Sequence, residues 1–294
     1  MHAVARAKRD AFLRKAAAPP AIMGILNLTP DSFSDGRRFA SVDAALAHAA
    51  AMVAAGCDVI DVGGESTRPG AGAVSAAEEL ARIEPVLARL AGAVDVPISI
   101  DTTKAVVAAR AAALGAVVVN DVWGLQRDPA MAETVAGAQT ALVIMHNRAE
   151  KDAAVDIVAD MERFLDRSLA LAERAGIARA RIILDPGIGF AKTSAQNRAA
   201  FAHIAKLKER GLPILVGVSR KRFLGSDAPA LETLAGTIAA NLAAAAAGAA
   251  IFRVHDVAEH AAALKVFFTL RGAVARPNCD SSCPRKRASS KRRS

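Results

Sequence analysis

Residues 98–121 read ISIDTTKAVVAARAAALGAVVVND. A β-branched run, Ile98–Ile100, is followed by an Ala-rich stretch of helical character over 103–113. Gly115 then stops the helix, and a second run, Val117–Val119, follows. Runs that are apolar at almost every position fit strands covered on both faces. A glycine between helix and strand supplies the left-handed stop expected at a helix C-terminus. Each run ends in polar residues, Asp101-Thr102 and Asn120-Asp121.

The same unit recurs along the chain. The other runs are Ile22–Leu26, Val59–Val62, Leu142–Met145, Ile182–Leu184, Ile214–Val218 and Ile251–Val254. Helical stretches at 42–55, 76–91, 129–136, 153–175, 195–210, 231–247 and 256–271 separate them, with stops at Gly56, Gly137, Gly176, Gly211 and Gly248. Eight such units in about 250 residues are the arithmetic of an α/β fold, a (β/α)8 TIM barrel. A doubly wound sheet is the alternative. It would more often carry a Gly-rich turn after the first strand, where this chain has Asn27-Leu28-Thr29-Pro30-Asp31-Ser32. Nothing divides the body, so a single barrel domain is expected over 21–275. An extension, 1–20, precedes it, and a disordered basic tail, 276–294, follows it.

The chain has 294 residues and a net charge of +9. Five basic residues and one acidic residue fall in 1–20, and seven and one in 276–294, leaving 26 and 27 in the body. A near-neutral body lacks the basic face of a specific nucleic-acid binder. Three cysteines exclude a disulfide scaffold, and Cys57 reads as a small core residue. The stretch 234–252 is mostly Ala and Gly and reads as a buried or interface helix, not a membrane span. With no secretory signal, a cytoplasmic location is expected.

Catalytic groups of a barrel stand at the C-terminal ends of its strands. Here those positions are polar: Asn27, Asp61, Asp101, Asn120-Asp121, His146-Asn147-Arg148, Asp185, Ser219-Arg220-Lys221 and Arg253-Val254-His255. An Asp or Asn there can merely cap the next helix. Lys221, Arg253 and His255 are poor caps. Asp101, Asn120 and Asp185 suit a flat ring rich in N–H groups, while Arg68, Lys221, Arg253 and His255 suit an anion such as phosphate or carboxylate. Two long loops, Leu28–Ser41 and Gly63–Ser75, have the length and composition of lids. Asp61 reads as a holder of the second loop. His146 reads equally well as functional or structural, and His48, His203 and His260 read as solvent-facing.

These segments resemble the dihydropteroate synthase family. They stand here as NLTPDSFSDG (27–36), DVGGESTRPG (61–70), SIDT (99–102), Asn120-Asp121, MHNR (145–148), DPGIGFAK (185–192), GVSRKRF (217–223) and RVHDV (253–257). The resemblance covers about residues 21–272. It implies a barrel, usually a homodimer, that joins 7,8-dihydropterin-6-ylmethyl diphosphate to p-aminobenzoate with Mg²⁺ assisting. It implies a pterin pocket of Asp101, Asn120, Met145, Asp185 and Lys221. The diphosphate would meet Asn27, Thr67, Arg68, Arg253 and His255, with Asn27 also a metal ligand. The p-aminobenzoate slot would use Phe33, Thr67, Arg68, Pro69, Phe190, Ser219 and Lys221. Asp101, Lys221, Arg253 and His255 would be the catalytic set. Asp31 and Asp35 order the first loop or join the metal shell; the sequence does not choose.

The chain departs from the family pattern at Arg37-Arg38, where a second glycine is common, and in its basic tail. Two other readings stay open here. One is a pterin-binding methyltransferase, which needs no diphosphate site. The other is an inactive paralogue or basic-tailed binding protein, which would tend to lose the anion-binding cations retained here.

Overall fold

The computed structural model describes residues 1–18, 20–29, 38–65, 72, 74–221, 223 and 233–274. The tail 276–294, with Cys279 and Cys283, lies outside them. Eight strands form one parallel sheet: β1 (Ala21–Asn27), β2 (Val59–Gly63), β3 (Ile98–Asp101), β4 (Val118–Asp121), β5 (Ala141–Met145), β6 (Ile182–Asp185), β7 (Leu215–Val216) and β8 (Ile251–Val254). Their order is β6-β5-β4-β3-β2-β1-β8-β7, and a parallel bridge between Leu184 and Ile214 joins the two edges. The sheet therefore closes into a barrel, and the doubly wound alternative fails.

Among the described residues, ten α-helices accompany the strands: α1 (Ala3–Ala17), α2 (Arg38–Ala54), α3 (Ala76–Ala93), α4 (Ala105–Ala113), α5 (Met131–Ala138), α6 (Ile157–Arg174), α7 (Ser194–Ala202), α8 (Ile204–Leu207), α9 (Leu234–Ala247) and α10 (Val257–Val274). The expected helix over 195–210 is broken into α7, α8 and a 3-10 turn, Lys208–Arg210. Five of the six predicted glycine stops have positive φ, from +71° at Gly211 to +106° at Gly248. Gly137 does not: it stays inside α5, and Gln139 takes the left-handed turn at φ 58°.

Strand residues alternate between two environments. Ile60, Val62, Ile98, Ile100, Ile182, Leu184, Phe252 and Val254 pack outward into the core beneath the helices. Met23, Val59, Val118, Val143, Ile183, Leu215 and Ile251 belong to a second apolar cluster inside the barrel. Continuing each inward row along its strand leads to Asp61, Asp101, Asn120, Asp185 and Arg253, so an apolar floor carries a polar mouth.

The sequence pattern assigns no element to residues 1–20. The structure makes α1 the plug of the barrel floor. Phe12 is 2% exposed and joins the interior cluster with Ala5 and Ala16. Lys8 Nζ donates to Val94 O at 2.8 Å, and Arg9 Nη1 donates to Gln139 O at 2.5 Å. Burying one phenylalanine contributes about 1.5–3 kcal/mol, so this contact matters to the fold.

Candidate active site

Four strands, β1 to β4, meet at one level. Asn27 pairs in register with Gly63, Gly63 with Asp101, and Asp101 with Asn120. A methyl on Gly63 would stand 3.5 Å from Asn27 Oδ1 and 3.8 Å from Asp101 Cβ, so the glycine leaves the space between them clear. Asn120 and Asp101 are buried.

A guanidinium ties the acidic groups together. Arg253 Nε donates to Asp61 Oδ2 at 2.6 Å, and Arg253 Nη2 donates to Asp101 Oδ2 at 2.7 Å. Asn120 Nδ2 donates to the same Asp61 oxygen at 3.1 Å. Among the described residues Asp61 bonds Arg253 and Asn120; most of the second loop it is expected to hold lies outside them. Asp61 is fully buried inside the barrel, where it orients Arg253 and Asn120. Its inward position follows from strand alternation, a signal the apolar run around it conceals.

Burial pushes the Asp101 carboxyl up to about 7, against the pull of Arg253. Burial also raises Asp185, opposed by the Gly187 N–H and by Lys221. For Arg253, burial works against the charge but is outweighed by Asp61 and Asp101, and its pKa moves up.

Lys221 approaches from the other side. Its Nζ donates to Ile188 O at 3.0 Å and lies 4.4 Å from the centre of the Phe190 ring. Burial lowers its pKa to about 8, opposed chiefly by Asp185. Gly217 sits between the cations: a methyl there would lie 3.8 Å from Arg253 Cβ and 3.9 Å from Lys221 Nζ. Met145 pairs in register with Asp185 and is buried beside it. Ser219 Oγ and His255 Nδ1 are 2.9 Å apart, and the His255 N–H donates to Ser219 Oγ at 3.2 Å. The residues expected for diphosphate and for p-aminobenzoate thus touch at this pair.

Some polar strand ends serve the scaffold. Asp121 accepts the Trp123 N–H at 2.9 Å and the Leu125 N–H at 2.7 Å, so it is occupied by its turn. His146 is fully buried, with Nε2 3.2 Å from Asp160, and burial drives its pKa down to about 3. It is therefore a neutral packing histidine. Two other histidines differ from expectation. His260 is fully buried with Nδ1 2.7 Å from Asp256 O, and His203 pairs with Glu162 at 2.5 Å. Phe33, Thr67, Arg68 and Pro69, with Asp31, Asp35 and Arg37, lie outside the described residues.

Asp101, Asn120, Asp185 and Lys221, with Arg253, Ser219 and His255 alongside, make up the polar mouth among the described residues. The family model for pterin binding enzymes matches residues 23–255. The dihydropteroate synthase of Bacillus subtilis is 46% identical over 247 residues, covering 83% of this chain and 86% of its own. That of Escherichia coli K12 is 42% identical over 255 residues, 84% of this chain and 90% of its own. The Xanthomonas albilineans dihydropteroate synthase solved with 4-aminobenzoic acid has a TM-score of 0.81 at 44% identity, covering 86% of this chain and 93% of that one. The same enzyme in complex with 7,8-dihydropteroate has a TM-score of 0.75 at 39% identity over the same shares. The chain belongs to the pterin binding enzyme family. Its place within that family is among the dihydropteroate synthases, transferases of folate biosynthesis.

Proposed function

We propose that the barrel mouth performs the dihydropteroate synthase reaction with its groups in the following roles. The pterin ring of 7,8-dihydropterin-6-ylmethyl diphosphate lies over Met145. Its N–H groups meet Asp101, Asn120 and Asp185, and its carbonyl meets Lys221. The observation that carries this reading is the Arg253 bridge, which gathers Asp61, Asp101 and, through Asp61, Asn120 into one buried group at one end of the barrel. Arg253 and His255, with Arg68 and Thr67 of the second loop, take the diphosphate.

In the chemical step the bond from the pterin methylene to the diphosphate oxygen breaks, and the amine nitrogen of p-aminobenzoate bonds to that carbon. The bond electrons leave with diphosphate, and the amine releases one proton. Asp101 beside the ring stabilises the positive charge that develops there. Ser219 meets the p-aminobenzoate carboxylate, with Phe190, Lys221, Phe33 and Pro69 shaping the slot. An aniline nitrogen is already nucleophilic, so no strong base is needed.

Mg²⁺ fits the donors at the mouth. A hard cation takes oxygen ligands, commonly one or two from protein and the rest from phosphate and water. The Asn27 amide oxygen, left clear by Gly63, would be such a ligand. When bound, the ion screens the charge of the leaving diphosphate.

We also propose a homodimer through α9 and α10. Leu234, Ala235, Ala239 and Ala243 are exposed on α9, and Val266 and Leu270 on α10 are 59% and 62% exposed. Sedimentation tests this: a monomer at micromolar concentration would refute it. No described helix is long and apolar enough to cross a membrane. We place the reaction in the cytoplasm, a location supported by its small charged substrates.

The deciding assay supplies the pterin diphosphate, p-aminobenzoate and Mg²⁺, with and without a sulfonamide competitor. Asp101→Asn and Lys221→Ala are expected to lose most turnover while keeping the fold. Near-normal turnover in either variant would sink the assignment of roles.

A further inference from the structure

Lys192 is buried, only 3% exposed, and the roles above leave it unused. Its ammonium reaches three backbone oxygens: Gly187 O at 2.7 Å, Phe190 O at 3.2 Å and His146 O at 3.4 Å. All three are neutral carbonyls. A buried charge whose hydrogen-bond partners are all neutral is costly, and burial lowers the Lys192 pKa to about 7 against the pull of Asp185. An apolar chain of the same length would fill the space without that cost. What the cation does is join two loops, since His146 follows β5 while Gly187 and Phe190 follow β6.

The segment between β6 and α7 is bonded at almost every residue. The Gly187 N–H donates to Asp185 Oδ1 at 2.7 Å. Gly187 has φ +66°, and a Cβ there would fall 1.9 Å from His146 O, so the two loops touch backbone to backbone. Ile188 O accepts Lys221 Nζ, and the Gly189 N–H donates to Asn197 Oδ1 at 2.8 Å. The ring of Phe190 lies against Lys221. Drawing the Gly187 and Phe190 carbonyls inward thus turns the Gly187 N–H towards Asp185 and presents Ile188 O and the Phe190 ring to Lys221.

We propose that Lys192 is a positioning residue for the reaction: its hold on the carbonyls of His146, Gly187 and Phe190 folds this loop so that Asp185 and Lys221 face the pterin together. The proposal rests on the assignment of Asp185 and Lys221 to the pterin pocket. Lys192 itself touches no substrate.

The test compares Lys192→Met and Lys192→Gln with Asp185→Asn in the full-length enzyme, by steady-state kinetics on both substrates and by thermal melting. Lys192→Met removes every donor, while Lys192→Gln keeps two N–H groups without the charge. The expected result is a folded Met variant whose kcat/KM for the pterin diphosphate falls about ten- to a hundredfold. A raised KM should account for most of that loss, and the Gln variant should lose less. A purely structural role would lower the fraction of folded enzyme, and so the apparent kcat, with both KM values unmoved. Parent-like KM values in a folded variant overturn the proposal. Should the Met variant not fold, the Gln variant is judged by the same criterion. The control separates the two failures. An unaltered pterin KM in Asp185→Asn removes the pocket assignment. An impaired Asp185→Asn beside normal Lys192 variants removes only the role of Lys192.

Discussion

Asp61→Asn keeps the size of the side chain and deletes its charge. In the parent, Asp61 Oδ2 accepts from Arg253 Nε at 2.6 Å and from Asn120 Nδ2 at 3.1 Å, fully away from water. Removing one partner of a buried ion pair typically costs about 3–5 kcal/mol. Two features favour the lower end. Arg253 keeps Asp101 as a second partner, and its side chain retains 17% exposure at the mouth. A loss of about 3 kcal/mol should lower the melting temperature by about 6–12 °C in a barrel of this size. Arg253→Met perturbs the same group from the other side, leaving Asp61 and Asp101 without their cation. The double variant removes an opposite pair of charges together and should recover at least about 1.5 kcal/mol relative to the sum of the singles. Urea unfolding of the four proteins measures that coupling. Additivity within about 0.5 kcal/mol would refute the view that Asp61 acts through Arg253.

The remaining expectations concern pH, the floor and one turn. If the reaction uses ionised Asp101 and protonated Lys221, kcat/KM rises as pH passes up through about 7 and falls above about 8. Asp101→Asn should remove the acid limb, and an unchanged limb would assign it elsewhere. The same raised value means that the folded state binds the Asp101 proton more tightly than the unfolded state. Its contribution is therefore full below the ordinary value of 3.8 and lost as pH rises through about 7. Melting curves across that range should lose this slope in Asp101→Asn. Phe12→Ala should cost about 3–5 kcal/mol in urea unfolding with kcat and KM unchanged; a large change in KM well below the melting temperature would contradict the separation of floor from mouth. Gly187→Ala places a methyl 1.9 Å from His146 O at φ +66°, so soluble protein with a parent-like pterin KM would show that this turn is not tightly set.

The barrel was legible because its units repeat: β-branched run, alanine-rich helix, glycine. The repeat says little about which residues of a run face inward, since both faces are apolar over most of its length. That is why Asp101 and Asn120, standing at strand ends, can be read from the sequence, while Asp61, one residue from the end of an apolar run, looks like a loop holder. The helix α1 is not evident in the sequence because its apolar face packs on the barrel floor. Phe12, Ala5 and Ala16 make a sparse apolar stripe among charged residues, and its meaning depends on what lies opposite. Gly137 illustrates a local limit. A glycine near a helix end predicts the stop, yet Gln139 adopts the left-handed turn two residues later, before β5 begins. Lys192 was visible within DPGIGFAK, but its three acceptors come from residues brought together by the turn at Gly187 and by the pairing of β5 with β6.

The closed barrel also brings the end of α1 beside the end of α10. Ala16 and Ala17 at the end of α1 and Phe268 and Arg271 near the end of α10 line one groove of about 530 Å³, beside Pro213, Ala249 and Ala250, which lead into β7 and β8. The two ends of the barrel's circuit are thus neighbours on the side away from Asp101 and Lys221. A tether begun beyond Val274 would start from the underside of the enzyme, leaving the substrate entrance facing free solution.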